Sequence, residues 1–168
     1  MFTAGDVSRI QIFRSRPNSA AMLGLILATT TIVGSAAGVL FAPDLWWFHL
    51  KKPAFAPPHW FVASVWLTSY VLTSIVGWRI WLKPTRSMLL FIWSVQLLMC
   101  WLWAPVIYAL KLPEMALAML AMAGAMLVLL IVFLRQSDRV SSLMLAAQLV
   151  WIGFVGFLNA TILLMNQV

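Results

Sequence analysis

Trp46-Trp47-Phe48-His49-Leu50-Lys51-Lys52-Pro53, followed by Pro57-Pro58-His59-Trp60 and then Trp66, stands between two long apolar runs. Such a stretch describes an aromatic, proline-stiffened loop lying over a membrane bundle. Indole rings favour the level of the lipid headgroups, because the ring is apolar while its N–H needs a polar partner. The chain has ten tryptophans, more than two interfacial belts require, so some are expected to line a cavity.

Outward from this loop, the 168 residues are 64% hydrophobic and 9% charged, with a mean hydropathy of +0.99. Those values exclude an ordinary soluble surface. Apolar segments cover about residues 19–42, 58–82, 87–109, 113–134 and 140–165, each long enough for the ~20 residues that cross a hydrocarbon core of ~30 Å. The expectation is an all-α membrane protein, a five-transmembrane-helix bundle over residues 19–168 behind a polar, basic tail at 1–18. The first segment exceeds the apolar core of a signal peptide, about 7–15 residues, and reads as a retained span.

A net charge of +7 raises the question of nucleic acid, but the basic residues are scattered at segment ends and form no stripe. They report orientation instead. Arg9, Arg14, Arg16, Arg79, Lys83, Arg86, Arg135 and Arg139 fall on one side of a five-span topology and Lys51, Lys52 and Lys111 on the other. The positive-inside rule then puts the amino terminus in the cytoplasm and the aromatic loop outside, with the plasma (inner) membrane as the default and outer or organellar membranes open. Cys100 is the single cysteine, so no intrachain disulfide forms.

Within the segments, polar residues identify the inward faces. His59, Trp66, Tyr70 and Ser74 share one face of the second span by three-and-four spacing. Trp93, Gln96, Cys100 and Trp103 do so on the third, and Met144, Gln148, Trp151, Val155 and Asn159 on the fifth. An unpaired amide in hydrocarbon costs several kcal/mol, so Gln96, Gln148 and Asn159 point inward and carry Trp66, Trp103 and Trp151 with them. Two readings of these tryptophans stand: packing, or the walls of a cavity for a flat hydrophobic ligand such as a tetrapyrrole, sterol or fused-ring drug. Gly34-x-x-x-Gly38 in the first span allows a neighbouring helix to approach closely, as does the alanine face Ala118, Ala121 and Ala125 of the fourth. Pro105 is expected to kink or end the third.

Several chemistries lack residues. Asp6, Asp44, Glu114 and Asp138 sit in the tail or near segment ends and form no intramembrane relay. His49, His59 and Cys100 do not have metal-ligand spacing, so no metal site and no required cofactor are expected. No phosphate loop or nucleophile–base constellation is present.

The order Trp46-Trp47, Lys52-Pro53, Pro57-Pro58 and Trp66, with Gln96, Cys100 and Trp103-Ala104-Pro105 and then Trp151 and Leu158-Asn159, resembles the translocator protein family. It is also called the tryptophan-rich sensory protein or peripheral-type benzodiazepine receptor family. The resemblance runs from about the first span to residue 165. It implies a five-helix bundle, commonly a homodimer in the lipid bilayer, whose pocket beneath the first loop binds porphyrins, haem, sterols and drugs. The implied pocket residues are Trp47, Pro57, Trp66, Tyr70, Cys100, Trp103, Gln148, Trp151 and Val155, to which the inward-amide argument adds Gln96. In some bacterial members the tryptophans matching Trp66 and Trp151 are implicated in light-dependent porphyrin breakdown, so an enzyme using them is the alternative to a binding or sensory protein, and a transporter is the third.

The chain also departs from the family pattern. Cys100 stands where the family has Asn, Trp47 where Tyr is frequent, Ala147-Gln148 where Pro-Tyr is common, and Val155 where the residue is small. The sterol-recognition order of aliphatic, Tyr and Lys or Arg is missing near the carboxyl end, where Phe157 replaces Tyr and no basic residue follows. The expected ligand is therefore a porphyrin or haem rather than a sterol.

Overall fold

The computed structural model describes residues 18–84 and 86–166, so the tail expected at residues 1–18 lies, up to residue 17, outside the described residues. Five long helices follow the apolar segments, since backbone N–H and C=O groups in hydrocarbon must be satisfied within the segment itself. They are α1 (Ser19–Leu40), α3 (His59–Trp81), α4 (Arg86–Ala104), α5 (Pro113–Leu134) and α6 (Arg139–Asn166), with the short α2 (Leu45–His49) between the first two. The five-helix expectation holds: each is long and apolar enough to cross a membrane.

Local chemistry sets the helix ends. Asp44 is the N-cap of α2, its carboxylate accepting from the Trp47 N–H at 3.2 Å, so it stands one position before the first turn. Pro58 is held extended at φ −66° and ψ 152°, and its carbonyl accepts from the Phe61 and Val62 N–H groups, which starts α3 at His59. Pro113 opens α5 with Glu114 in its first turn, where a missing N–H is harmless and a negative charge complements the helix dipole.

Pro105 neither ends nor simply bends its span. The chain continues from α4 through a π-helical turn, Pro105–Ala109, in which the Leu110 N–H donates to the Pro105 carbonyl at 3.0 Å. Widening a helical turn to an i→i+5 bond shifts the side chains that follow by a fraction of a turn. The turn displaces Tyr108 from the register a straight helix would give it.

Around the bundle, α1 packs on α3, α3 on α6, α6 on α5 and α5 on α4, while α4 also reaches α3 and α1. The buried stripe of α5 is Ala116, Leu120, Ala123, Leu127, Leu130 and Leu134. Ala118, Ala121 and Ala125 are exposed, which corrects the alanine face expected to pack: larger Leu side chains fill the core while the alanines face outward. Gly34 behaves as expected, buried against the Tyr70 ring.

At one end of the bundle Asp138 caps α6 and ties it to α3. Arg79 donates to its carboxylate through Nη2 at 2.7 Å and Nε at 3.1 Å, and the Ser141 hydroxyl donates at 2.8 Å. Lys83 adds an ion pair at 3.7 Å. Burial raises the Asp138 pKa, but the Arg79 and Ser141 hydrogen bonds and the Arg79 charge outweigh it and hold the carboxyl below its usual value.

Candidate functional site

The aromatic loop folds down onto the opposite end. Trp47 is buried, and its ring meets Tyr108 edge-on at 5.0 Å. The Lys51 N–H donates to Asn166 Oδ1 at 2.9 Å while Asn166 Nδ2 donates to the Lys51 carbonyl at 3.0 Å, so the last turn of α6 grips the loop backbone from both sides. Phe55 stacks on Phe157 at 5.5 Å. Asp44, beside α2, pairs with Lys111 at 3.0 Å, and that contact leads the causes that lower the Asp44 pKa.

Beneath the loop lies a cavity of ≈ 630 Å³ between α1, α3 and α4, and its deep wall is Trp66, Tyr70, Cys100 and Trp103. Glycines 34 and 38 of α1 form the facing wall, where absent side chains leave room. Trp66 stacks on Trp103 at 5.7 Å with planes 30° apart, and on Tyr70 at 5.8 Å. Among the described residues, no Asp, Glu, Lys or Arg lines this cavity. The indole N–H groups of Trp66 and Trp103 are buried without a hydrogen-bond partner, and an unpaired buried donor costs about 1–3 kcal/mol.

A second chamber of ≈ 60 Å³ is enclosed by the loop and α6, with Trp47, Lys52, Pro57, Trp151 and Val155 in its wall. His59, Val62 and Tyr108 line both spaces. The expected site residues are therefore divided. Trp66, Tyr70, Cys100 and Trp103 share the large cavity, while Trp47, Pro57, Trp151 and Val155 share the small one.

Gln96 and Gln148 line neither space. Gln96 is fully buried and donates to Cys100 Sγ at 3.1 Å, so it touches the cavity wall from behind. Gln148 Oε1 accepts from the Thr73 hydroxyl at 2.8 Å and joins α6 to α3. Tyr108 and Lys52 were not expected in the walls, whereas His59 shares its wall with Trp66 and Tyr70 as their common helix face requires. For Tyr108 the signal was Pro105 three residues earlier; for Lys52 it was the loop motif itself.

Among the described residues, no group of three or more His, Cys, Asp or Glu side chains comes together to hold a metal ion. The walls offer aromatic faces and shape, which suit binding a flat apolar molecule.

Comparison with known proteins agrees with this architecture. The model of the TspO/MBR family matches residues 18–165. The chain is 31% identical over 144 residues to Protein CrtK of Rhodobacter capsulatus, covering 78% of this chain and 84% of that protein. It is 26% identical over 148 residues to the translocator protein of Sus scrofa, covering 82% and 88%. It is also 26% identical over 132 residues to the tryptophan-rich sensory protein of Cereibacter sphaeroides, covering 79% and 84%.

Proposed function

The chain belongs to the TspO/MBR family, and on that premise we propose that this integral membrane protein binds a porphyrin-like tetrapyrrole as a sensory or receptor protein. The observation that carries the reading is the stacked Trp66–Trp103 pair on the wall of an uncharged cavity of ≈ 630 Å³, within the ~300–1,000 Å³ common for small-molecule sites. The macrocycle lies against the indole faces of Trp66 and Trp103. The thiol of Cys100, a weak donor, leaves orientation to those indoles. Haem fits as a flat macrocycle, and the cavity wall also holds His59 and Cys100, side-chain types that can ligate its iron.

Stacking on both indoles predicts saturable quenching of Trp fluorescence when protoporphyrin IX is titrated into the purified protein in detergent. Loss of saturation in the Trp66→Phe/Trp103→Phe protein supports the cavity; identical non-saturating curves for both proteins mean that the tryptophans are packing.

Light-dependent porphyrin breakdown is a second reading. Trp66 and Trp151 meet edge-on at 6.3 Å, close enough to share an electron vacancy left by an excited macrocycle. Unchanged product formation under light in the Trp66→Phe/Trp151→Phe protein rejects it. A homodimer in the plasma membrane, with the amino terminus cytoplasmic by the distribution of Lys and Arg, completes the proposal.

A further inference from the structure

Lys52 is a cation set into the wall of the small chamber without a counter-ion. Its ammonium donates to the Trp47 carbonyl, and to the Leu50 carbonyl at 3.2 Å, and lies 5.3 Å from the Trp47 ring centroid and 5.9 Å from that of Phe48. No Asp or Glu pairs with it among the described residues. Burial without an opposing charge lowers its pKa, the effect that a bound anion reverses. Two carbonyls take two of the three ammonium hydrogens and leave one donor.

Trp151 also lines the chamber. Trp151 is 8% exposed, and its indole N–H is buried without a partner. The remaining wall is apolar apart from His59 and Tyr108, and no acidic side chain lines it. Lys52, the Trp151 ring and a space of ≈ 60 Å³ thus combine a positive charge with a spare N–H, an aromatic wall and room for a group of a few heavy atoms. His59, Val62 and Tyr108 line both spaces, so these three side chains are the partition that a side arm of a molecule in the large cavity crosses to enter the chamber.

We infer that the small chamber is a carboxylate subsite, in which the Lys52 ammonium receives a carboxylate arm of the ligand whose flat body occupies the large cavity. The inference rests on the proposed tetrapyrrole reading and adds the chemical class of its side arm. Charge-assisted hydrogen bonds of this kind favour the acid over its neutral ester.

The test compares protoporphyrin IX with its dimethyl ester on the purified full-length protein, using Lys52→Met to remove the charge and Lys52→Arg to keep it. The unaltered protein is expected to bind the diacid at least about tenfold more tightly than the diester. Lys52→Met is expected to bring the diacid down to the affinity of the diester and leave the diester unchanged, with Lys52→Arg restoring the preference. Sodium acetate is expected to weaken the diacid and not the diester.

Equal saturable binding of both porphyrins by the unaltered protein overturns the subsite while the proposed function stands. Equal loss of both in Lys52→Met also overturns it, because Lys52 then only holds the loop. Lys52-dependent stabilisation by acetate without weakening of the diacid assigns the chamber to a free small acid and overturns the side-arm assignment. Failure of either porphyrin to bind saturably removes the tetrapyrrole reading itself, and the inference with it.

Discussion

Gly34 lies against the face of Tyr70 so closely that a β-carbon at residue 34 would overlap the ring. The contact joins α1 to α3 and sets the position of a cavity wall, since both residues line the large space. At Gly38, one turn further, a β-carbon meets nothing within 4 Å. The two glycines therefore separate a packing role from a volume role.

Substituting them should separate the roles in measurement. Gly34→Ala is expected to lower the thermal unfolding temperature in detergent, by an overpacking cost of about 1–3 kcal/mol. Gly38→Ala is expected to leave that temperature unchanged or slightly raised, because Ala favours a helix interior over Gly, while weakening porphyrin binding by narrowing the cavity. Equal destabilisation by the two substitutions would show that α1 packs elsewhere.

The Arg79–Asp138 pair predicts an acid-sensitive bundle. Because the folded carboxyl titrates below its unfolded value, the folded state holds that proton less readily than the unfolded one. Its stabilisation is full above the unfolded pKa of ~3.9 and is lost as pH falls through the lower folded value. Asp138→Asn is expected to cost about 1–3 kcal/mol near neutral pH, since hydrogen bonds to a charged group are lost, and to flatten the decline in unfolding temperature below about pH 4. An equally steep decline in the variant would assign the acid response to other carboxyls.

Asn166 reaches 115 residues back along the chain to Lys51, and this clamp predicts local rather than global weakening. Asn166→Ala removes both hydrogen bonds to Lys51, about 0.5–1.5 kcal/mol each, and one within α6 to the Ile162 carbonyl. The Lys51 amide should exchange with deuterium about tenfold faster or more, while amides inside α5 keep their protection. Unaltered exchange at Lys51 would show that the Phe55–Phe157 stack and the Asp44–Lys111 pair hold the loop unaided.

These relationships mark where sequence reasoning reached and where it stopped. The five spans were legible because apolar length against bilayer thickness is a one-dimensional signal. The amides were legible too: Gln96, Gln148 and Asn159 are all buried, as the cost of exposing an amide to lipid requires. α5 was misread because it is apolar on every side, so its period carried no contrast between Ala118 and Ala116. Helical spacing showed that Trp66 and Trp151 face inward but could not show that they border different spaces, which depends on how the loop seats between α3 and α6. Tyr108 escaped notice because its direction is set by the π-helical turn that begins at Pro105, and spacing arguments assume an uninterrupted α-helix.

Trp101 and Trp103 offer the sharpest contrast in the proposed site. Both have buried N–H groups without partners, but Trp103 lines the large cavity and stacks on Trp66, whereas Trp101 lines neither space. If an unpaired indole alone attracted the ligand, replacing either would matter. If stacking within the cavity does so, Trp103→Ala removes a contact worth about 0.5–1.5 kcal/mol and weakens protoporphyrin IX by about two- to tenfold, while Trp101→Phe leaves binding unchanged. Titrations following porphyrin absorbance keep the loss of a fluorophore from entering the comparison. An equal loss of affinity in the two variants would detach binding from the Trp66–Trp103 wall and require a different seat for the macrocycle.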